Sequence, residues 1–181
     1  MCFAAVAISA QDNGLDIPAD VKPFIGNDRI AVGLESADLN GDGRKDYILV
    51  VEKPKQKTVY DLEGPRILMI LTREADGTLK LTKQNDKVVY CRQCGGAMGD
   101  PYAGIRVKRN SFTVDNYGGS NWRWGDSYTF NYSRIDKTWQ LVLVVKDTFM
   151  AIDPEKYKTK TYTPKKFGKM DIADFDPDKI K

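Results

Sequence analysis

The chain contains no histidine and only three cysteines, at positions 2, 91 and 94. Within these 181 residues the absence of histidine excludes a Ser-His-Asp triad, a Cys-His pair and any imidazole-ligated zinc site. Because only Cys91 and Cys94 lie outside the first ten residues, a four-thiolate zinc site is excluded as well. The enzyme classes that stay open are those that use carboxylates or a redox pair of cysteines.

Strong net charge and long apolar runs are also missing. The net charge of +3 is too small to predict a nucleic-acid-binding protein, so we expect no nucleic acid as a partner. No segment approaches the roughly 20 apolar residues of a membrane span. A group of lysines between positions 156 and 169 is interpreted as solvated surface rather than as a polyanion site. With 41% hydrophobic and 29% charged residues, the chain is long enough to bury a core and predicts one domain.

The first ten residues are apolar, small and uncharged, and the chain turns abruptly polar at residues 11–14. This break is typical of the end of a secretory signal peptide cleaved after Ala10, although the basic opening segment of such peptides is missing. We therefore divide the chain into residues 1–10, a remnant of a signal peptide, and residues 11–181, a single all-β domain. The expected localisation is secreted or periplasmic. The alternative is a disordered or docked N-terminus of a cytosolic protein.

Strand patterns dominate the remaining chain. Residues 47–51 and 67–71 are unbroken apolar runs, which predict strands buried on both faces. Further strands are predicted at 29–36, 79–81, 87–90, 105–108, 112–114, 122–132 and 139–145, with loops at 95–104 and 117–120 and a bulge or bend at Gly125. We expect an all-β antiparallel meander with propeller-like or sandwich-like sheets, a short N-terminal helix over residues 17–25, and an ordered piece around residues 167–175.

Residues 38–46 have the spacing of a calcium-binding loop. Oxygen side chains stand at positions 1, 3, 5 and 9 of this segment, which are Asp38, Asn40, Asp42 and Asp46. Position 7, Arg44, offers its backbone carbonyl, and the glycine at position 6 permits the sharp turn. Asp46 takes over the role of the bidentate glutamate that an EF-hand carries at position 12. The predicted cofactor is Ca²⁺, and the alternative is an Asp/Asn/Gly turn without a metal.

Cys91 and Cys94 have the C-x-x-C spacing of a redox site or half of a zinc site. A thioredoxin-type site places its first cysteine at the start of a helix, and the glycines and Pro101 that follow argue against a helix here. In an exported protein a local disulfide is the expected state. Free thiols and a catalytic redox pair are the alternatives.

Aromatic residues recur with a period of two from Trp122 to Tyr132, and Tyr117 precedes them. Tyr117, Trp122 and Trp124 are a candidate ligand platform of the kind that stacks against sugars. The alternative is that this aromatic face is simply core or the inner side of a sheet. The expected partner is therefore an unidentified protein or glycan.

The stretch from Glu35 to Val50 resembles an FG-GAP or integrin-type repeat. In that family the loop lies between adjacent strands of β-propeller blades and binds calcium, and the resemblance assigns Asp38, Asn40, Asp42, the Arg44 carbonyl and Asp46 as ligands. It covers roughly residues 30–82, and the loop has no second copy in the sequence. The C-x-x-C-G-G-x-x-G-D-P, Y-G-G-S-x-W-R-W and T-P-K-K-F-G-K segments resemble a group of secreted bacterial proteins, which implies no activity.

These observations together predict a secreted calcium-binding structural or binding protein rather than an enzyme. Two alternatives belong to other classes. One is a carbohydrate-active or other hydrolase that uses two carboxylates facing each other across a cleft. The other is a periplasmic thiol-disulfide protein that uses Cys91 and Cys94.

Overall fold

The computed structural model describes residues 14–54 and 64–180, which form two antiparallel sheets. Each sheet is a meander, because consecutive strands pair throughout. The first sheet contains β1 (Ile30–Ala37), β2 (Asp46–Glu52), β3 (Ile67–Arg73) and β4 (Leu79–Asn85). The second contains β5 (Tyr102–Lys108), β6 (Ser111–Gly119), β7 (Trp122–Ser133), β8 (Thr138–Met150) and β9 (Asp153–Tyr162). The predicted all-β antiparallel meander is confirmed; the predicted signal remnant lies outside the described residues.

The first sheet is apolar on both faces, which explains the unbroken hydrophobic run of β2. Ile48 and Val50 belong to a core shared with the second sheet, where Phe130 and Trp139 are fully buried. The residues of opposite parity in β2, such as Leu49, belong to a second cluster on the other face. That cluster is covered by the N-terminal segment, from Leu15 through Val21 to Ile25. Since successive side chains of a strand point to opposite faces, both faces of β2 must be apolar.

The predicted N-terminal helix over residues 17–25 is wrong. The segment forms turns, with a single 3₁₀ turn at Lys22–Phe24 as its only regular structure. Pro23 lies in the middle of this segment, and proline has no N–H to donate and clashes with the carbonyl four residues earlier. The segment nevertheless packs on the first sheet, because Val21 and Ile25 are buried.

Three local predictions in the rest of the chain are also corrected. Residues 87–89 form bends and residue 90 belongs to no strand, because the N–H groups of Lys87 and Val88 bond to the side chain of Asn85. Residues 117–119 belong to β6 rather than to a loop. Gly125 pairs in regular register on both sides, and the irregularity of β7 against β8 lies at Thr129 and Phe130 instead.

The chain after β8 is more regular than its sequence suggests. β9 forms one of the two outer strands of the second sheet, although its sequence carries no apolar alternation. A short helix, α1 (Pro164–Phe167), follows, and 3₁₀ turns at Ile172–Asp174 and Pro177–Lys179 complete the described chain. Ile172 and Phe175 are buried in the shared core, so the predicted ordered piece around residues 167–175 is confirmed. None of the helices in the described residues has the length and apolar character that crossing a membrane requires.

Gly118 provides a test of how closely β6 packs against its surroundings. A methyl group on Gly118 would lie 2.5 Å from the Trp124 ring and 2.9 Å from the backbone of Gly95, whereas one on Gly125 would meet nothing closer than 3.9 Å. We expect Gly118→Ala to lower the free energy of unfolding by about 1–3 kcal/mol through overpacking. Gly125→Ala is the matched control in the neighbouring strand and should change it by less than about 1 kcal/mol. Urea unfolding followed by tryptophan fluorescence measures both, and equal midpoints for the two variants would refute the close packing.

Candidate functional site

The loop of residues 38–46 connects β1 to β2 and is curled by its own side chains. The Asp38 carboxylate accepts hydrogen bonds from the N–H groups of Gly41 (2.7 Å) and Gly43 (3.1 Å). Both glycines have positive φ, 79° and 86°, a conformation that L side chains rarely adopt. The sequence Asn-Gly-Asp-Gly therefore lets the chain wrap around the side chain of Asp38.

The middle of the loop repeats this pattern. The Asn40 side-chain oxygen accepts from the N–H of Asp42 (3.0 Å), and the Asp42 carboxylate accepts from the N–H of Arg44 (2.8 Å). The second oxygen of Asp42 accepts from the Asn40 amide (2.8 Å) and lies 2.6 Å from the Arg44 guanidinium. The carboxylate of Asp42 is thus already next to a positive charge.

Asp46 closes the loop from inside the protein, where it is fully buried. Its two oxygens accept from the N–H groups of Leu39 and Arg73, both at 2.9 Å. Burial raises the pKa of the Asp46 carboxyl; the two N–H donors act in the opposite direction, and the charges of Asp42 and Asp38 raise the pKa further. Burial therefore destabilises the negative charge of this carboxylate, and a cation bound nearby would stabilise it.

The same loop joins the two sheets. The indole N–H of Trp139, on β8, donates to the carbonyl of Leu39 at 2.9 Å, and both residues are fully buried. The N–H of Asn110, in the turn between β5 and β6, donates to the carbonyl of Asp38 at 2.9 Å. Next to it, the Arg109 guanidinium lies 3.1 Å from the Asp38 carboxylate. Two backbone carbonyls of the loop are therefore fixed by the second sheet.

The oxygen donors of the loop are of the kind that binds a hard cation. The loop also contains a positively charged side chain that would compete with a cation for one of these donors. Among the residues that the structure describes, no three His, Cys, Asp or Glu side chains are grouped closely enough to hold a metal by themselves. The predicted ligand set also draws on the Asn40 amide oxygen and the Arg44 carbonyl, which are donors that calcium accepts. The Asp42 carboxylate is engaged by the guanidinium of Arg44. Calcium would therefore compete with this guanidinium for Asp42.

Cys91 and Cys94 form a disulfide, as predicted. The N–H of Cys94 donates to the carbonyl of Cys91 at 2.9 Å, so the two cysteines close a tight turn. The next regular element in the described chain is the 3₁₀ turn Gly96–Met98. Cys91 does not stand at the start of an α-helix, which is the feature that lowers the pKa of the attacking cysteine in thioredoxin-type sites.

A buried ionic cluster attaches the disulfide loop, residues 91–100, to the first sheet. Arg66 has a side chain that is 2% exposed, and it contacts the carboxylates of Glu52 (2.7 Å) and Asp100 (2.6 Å). Arg92, inside the disulfide loop, contacts the other oxygen of Glu52. Burial by itself lowers the pKa of Arg66, but the bonds to Asp100 and Glu52 outweigh this effect and the pKa is raised. Both ends of the loop, at positions 92 and 100, are thereby fixed to the end of β2 and the start of β3.

A cavity of about 320 Å³ lies beside the disulfide. It is lined by Pro65, Asp86, Lys87, Val89, Tyr90, Cys91, Cys94, Asp176, Pro177 and Asp178. The Lys87 ammonium lies 2.5 Å from the Asp176 carboxylate and lowers its pKa. Asp176 therefore stays ionised near neutral pH and is unsuited to act as a general acid.

The three residues of the predicted aromatic platform do not share one face. Trp124 pairs with Gly118 and packs against Tyr90, with ring centroids 5.6 Å apart, on the inner side of the second sheet. Tyr117 precedes Gly118 in β6 and faces the outer side, where it stacks on Phe149 at 6.3 Å. Trp122 is 55% exposed at the start of β7. The expectation of one platform overlooked that Tyr117 belongs to a different strand with opposite parity.

Sequence reasoning missed several residues that hold these features in place. The sequence predicts Trp139 as part of a strand but gives no sign of its hydrogen bond to the loop 38–46, because 100 residues separate it from Leu39. Arg66, Glu52 and Asp100 were not identified, since no local pattern marks charges that meet across 14 and 34 residues. The alternation of lysine with threonine and tyrosine in residues 156–161 was the available signal for β9.

Comparisons with known proteins do not place the chain in a family. No protein-family model matches it, and no curated protein matches it either. Among solved structures it is similar to a Xanthomonas type IV secretion system related protein, with a TM-score of 0.40 and 19% sequence identity. The matched region covers 77% of this chain and 57% of that protein, so the chain spans little more than half of the neighbour's length. A likeness of this degree carries no functional argument.

The ionic cluster predicts an unequal response to two similar substitutions. Glu52→Gln removes one of the two carboxylate charges that face the buried Arg66 and also the one that faces Arg92. Weakening a buried cluster in this way should cost about 3 kcal/mol of unfolding free energy. The matched control is Asp115→Asn, because Asp115 pairs with Arg106, whose side chain is 71% exposed. An exposed pair should cost less than about 1 kcal/mol. Chemical unfolding of both variants gives the comparison, and a Glu52→Gln cost no larger than that of the control would contradict the anchoring role.

Proposed function

We propose that this protein is a calcium-stabilised binding protein of an oxidising compartment, secreted or periplasmic, rather than an enzyme. The observation that carries the proposal is the position of the loop 38–46 at the joint between the two sheets. Trp139 and Asn110 of the second sheet bond to the carbonyls of Leu39 and Asp38. A cation that orders this loop therefore also orders the contact between the sheets.

The electrostatics of the loop favour a cation. Asp38, Asp42 and Asp46 bring three negative charges into nine residues, and the pKa of the buried Asp46 is raised by desolvation and then by the other two charges. Calcium bound by the carboxylates, the Asn40 amide and the Arg44 carbonyl would reverse this repulsion. The resemblance to an FG-GAP repeat is supported to the extent that the loop connects adjacent strands of a four-stranded antiparallel meander.

Arg44 has two opposing effects in this proposal. Its backbone carbonyl is a proposed ligand, while its guanidinium pairs with Asp42 and donates to the carbonyl of Arg73 at 2.7 Å. Without calcium the guanidinium offsets part of the repulsion in the loop. With calcium it must give up Asp42, and this competition lowers the apparent affinity for the metal.

Calcium should raise the thermal stability of the wild-type protein. Extracellular modules of this kind bind at about 10⁻⁴–10⁻³ M, so millimolar calcium should stabilise by on the order of 1 kcal/mol. For a domain of this size the melting temperature should rise by roughly 2–4 °C. The measurement is a melting curve in chelator and in a calcium series. A melting temperature that does not change with calcium would show that the loop is only a turn.

Two variants separate calcium binding from general effects on the loop. Asp42→Ala should abolish the calcium-dependent shift, because it removes the central carboxylate. Arg44→Gln retains the carbonyl ligand and removes the competing charge, so it should melt lower in chelator and respond to calcium at a lower concentration than wild type. Magnesium is the control ion and should substitute poorly, since it demands near-octahedral geometry at shorter distances.

The compartment is inferred from the disulfide. Cys91 and Cys94 are joined, and such bonds persist in oxidising environments and are rare in the cytosol. The ring spans a sequence separation of only three residues, so it constrains the unfolded chain little. Its effect is local: together with the ionic cluster it shapes residues 91–100.

Thiol titration checks this assignment. Protein that begins at Gln11, purified without reductant and then denatured, should contain no reactive thiol, because Cys91 and Cys94 are its only cysteines. After reduction the same protein should titrate with two thiols. Two reactive thiols before reduction would contradict the disulfide and, with it, the argument for an oxidising compartment.

A further inference from the structure

β9 is an outer strand whose backbone remains available. Among the described residues it pairs only with β8, and the short helix α1 contacts it near its carboxyl end. The two sheets have three further outer strands in the described chain. β1 and β5 contact each other, and β4 is contacted by the 3₁₀ turn Ile172–Asp174, while Asn85 at its end donates to the carbonyl of Phe175. A strand of ten residues with one unpaired edge is a template for another extended segment.

The two faces of β9 differ in chemistry. Lys156, Lys158 and Lys160 have one parity, and Tyr157 and Thr159 have the other. All five residues are exposed. The lysine face is the side on which Trp124 lies, because Lys158 is opposite Thr148 on β8 and Thr148 is opposite Trp124 on β7.

The lysine face carries more positive than negative charge. Asp126 of β7 stands opposite Lys146, and its carboxylate accepts hydrogen bonds from the hydroxyls of Tyr90 and Tyr128. Lys160 stands directly opposite Lys146 of β8, and like charges in directly opposed positions destabilise a sheet. Within the described chain, no ion pair is made by Lys146, Lys158 or Lys160, and only Lys156 has one, with Asp153 at 3.0 Å. This row of positive charge would be neutralised by acidic side chains placed beside it.

The other face carries an aromatic row that stops at the edge. Tyr117 on β6 stacks with Phe149 on β8 at 6.3 Å, and Phe149 packs with Tyr157 on β9 at 5.6 Å. Arg123, from β7, donates to the Tyr117 hydroxyl at 2.6 Å within the same row. Tyr157 is the last ring and is 53% exposed. One more strand beside β9 would place a side chain next to this ring.

We propose that the free edge of β9 binds an extended segment of a partner protein, in which acidic residues alternate with aromatic or other apolar residues. The segment adds a sixth strand to the second sheet. Its acidic side chains lie beside Lys158 and Lys160, and its apolar side chains continue the row that ends at Tyr157. Backbone hydrogen bonds supply affinity and the alternate side chains supply specificity, as in other cases of strand addition. This inference is independent of calcium binding by the loop 38–46.

A second copy of the chain is a poor occupant of this edge. In antiparallel pairing of two β9 strands, the lysine rows of both copies would lie on the same face and repel each other. Lysines on an edge strand therefore discourage self-association. The same lysines favour a strand of opposite charge, so the edge discriminates between partners by the sign of their charge.

The test uses labelled eight-residue peptides and fluorescence anisotropy with the full chain. The probe alternates aspartate with tyrosine or threonine; the controls are a peptide with lysine in place of aspartate and a scrambled peptide of the same composition without the alternation. Wild type should bind the alternating acidic peptide and discriminate against both controls by about tenfold or more. The Lys158→Glu/Lys160→Glu variant should reverse the charge preference and bind the lysine peptide more tightly than the acidic one.

Backbone methylation distinguishes strand pairing from simple charge attraction. Two versions of the acidic peptide are methylated on alternate amide nitrogens, one on the odd and one on the even residues. Because a strand presents alternate N–H groups to opposite sides, one version should lose binding and the other should retain it. Equal binding of both methylated peptides, equal binding of the scrambled peptide, or no binding of the alternating peptide would each overturn the proposal.

Discussion

The hydrogen bond from the Trp139 indole to the carbonyl of Leu39 is the contact on which the arrangement of the two sheets depends. It is buried completely, and it links a β8 side chain to the loop between β1 and β2. Neither partner could find water if the sheets separated slightly, so a small displacement leaves both groups unsatisfied at a cost of several kcal/mol. The loop must therefore retain its curled backbone conformation if the two sheets are to pack against each other. The Asn-Gly-Asp-Gly sequence permits this curl and thereby supports the contact between the two sheets.

The sheets are joined a second time through the disulfide loop. The guanidinium of Arg66 binds Glu52 at the end of β2 and Asp100 just before β5, and Arg92 reaches back to Glu52. The carbonyl of Gly95 accepts from the N–H of Gly119, which fixes the loop to β6 as well. The first contact between the sheets depends on the curled acidic loop 38–46, and the second depends on the buried charges around Arg66. Calcium and oxidising conditions would therefore act on different contacts, and their effects on stability should be largely additive because the groups do not touch.

Sequence patterns predicted the elements whose signal is local. The apolar runs of β2 and β3, the disulfide and the curled loop 38–46 follow from residues near each other in the chain. The predictions failed where tertiary contacts decide the structure. Tyr117–Gly119 is strand despite two glycines, because the Trp124 ring and the backbone of Gly95 need the space that Gly118 leaves. β9 has no apolar face of its own and is a strand because β8 extends far enough to pair with it.

The strands of the two sheets differ in length, so the first sheet leaves part of the second uncovered. β2, β3 and β4 contain 7 residues each, whereas β7 contains 12 and β8 contains 13. At about 3.3 Å per residue, the long strands extend well beyond the face that the first sheet can cover. The core accordingly ends near Tyr128 and Val144, and the same face continues with Trp124, Lys146 and Lys158. In this part of the sheet the strands pair with one another, but the first sheet does not cover them and lysines replace the apolar residues of the core. The outer edge of β9 borders this uncovered face, so an added strand would lie next to its lysines.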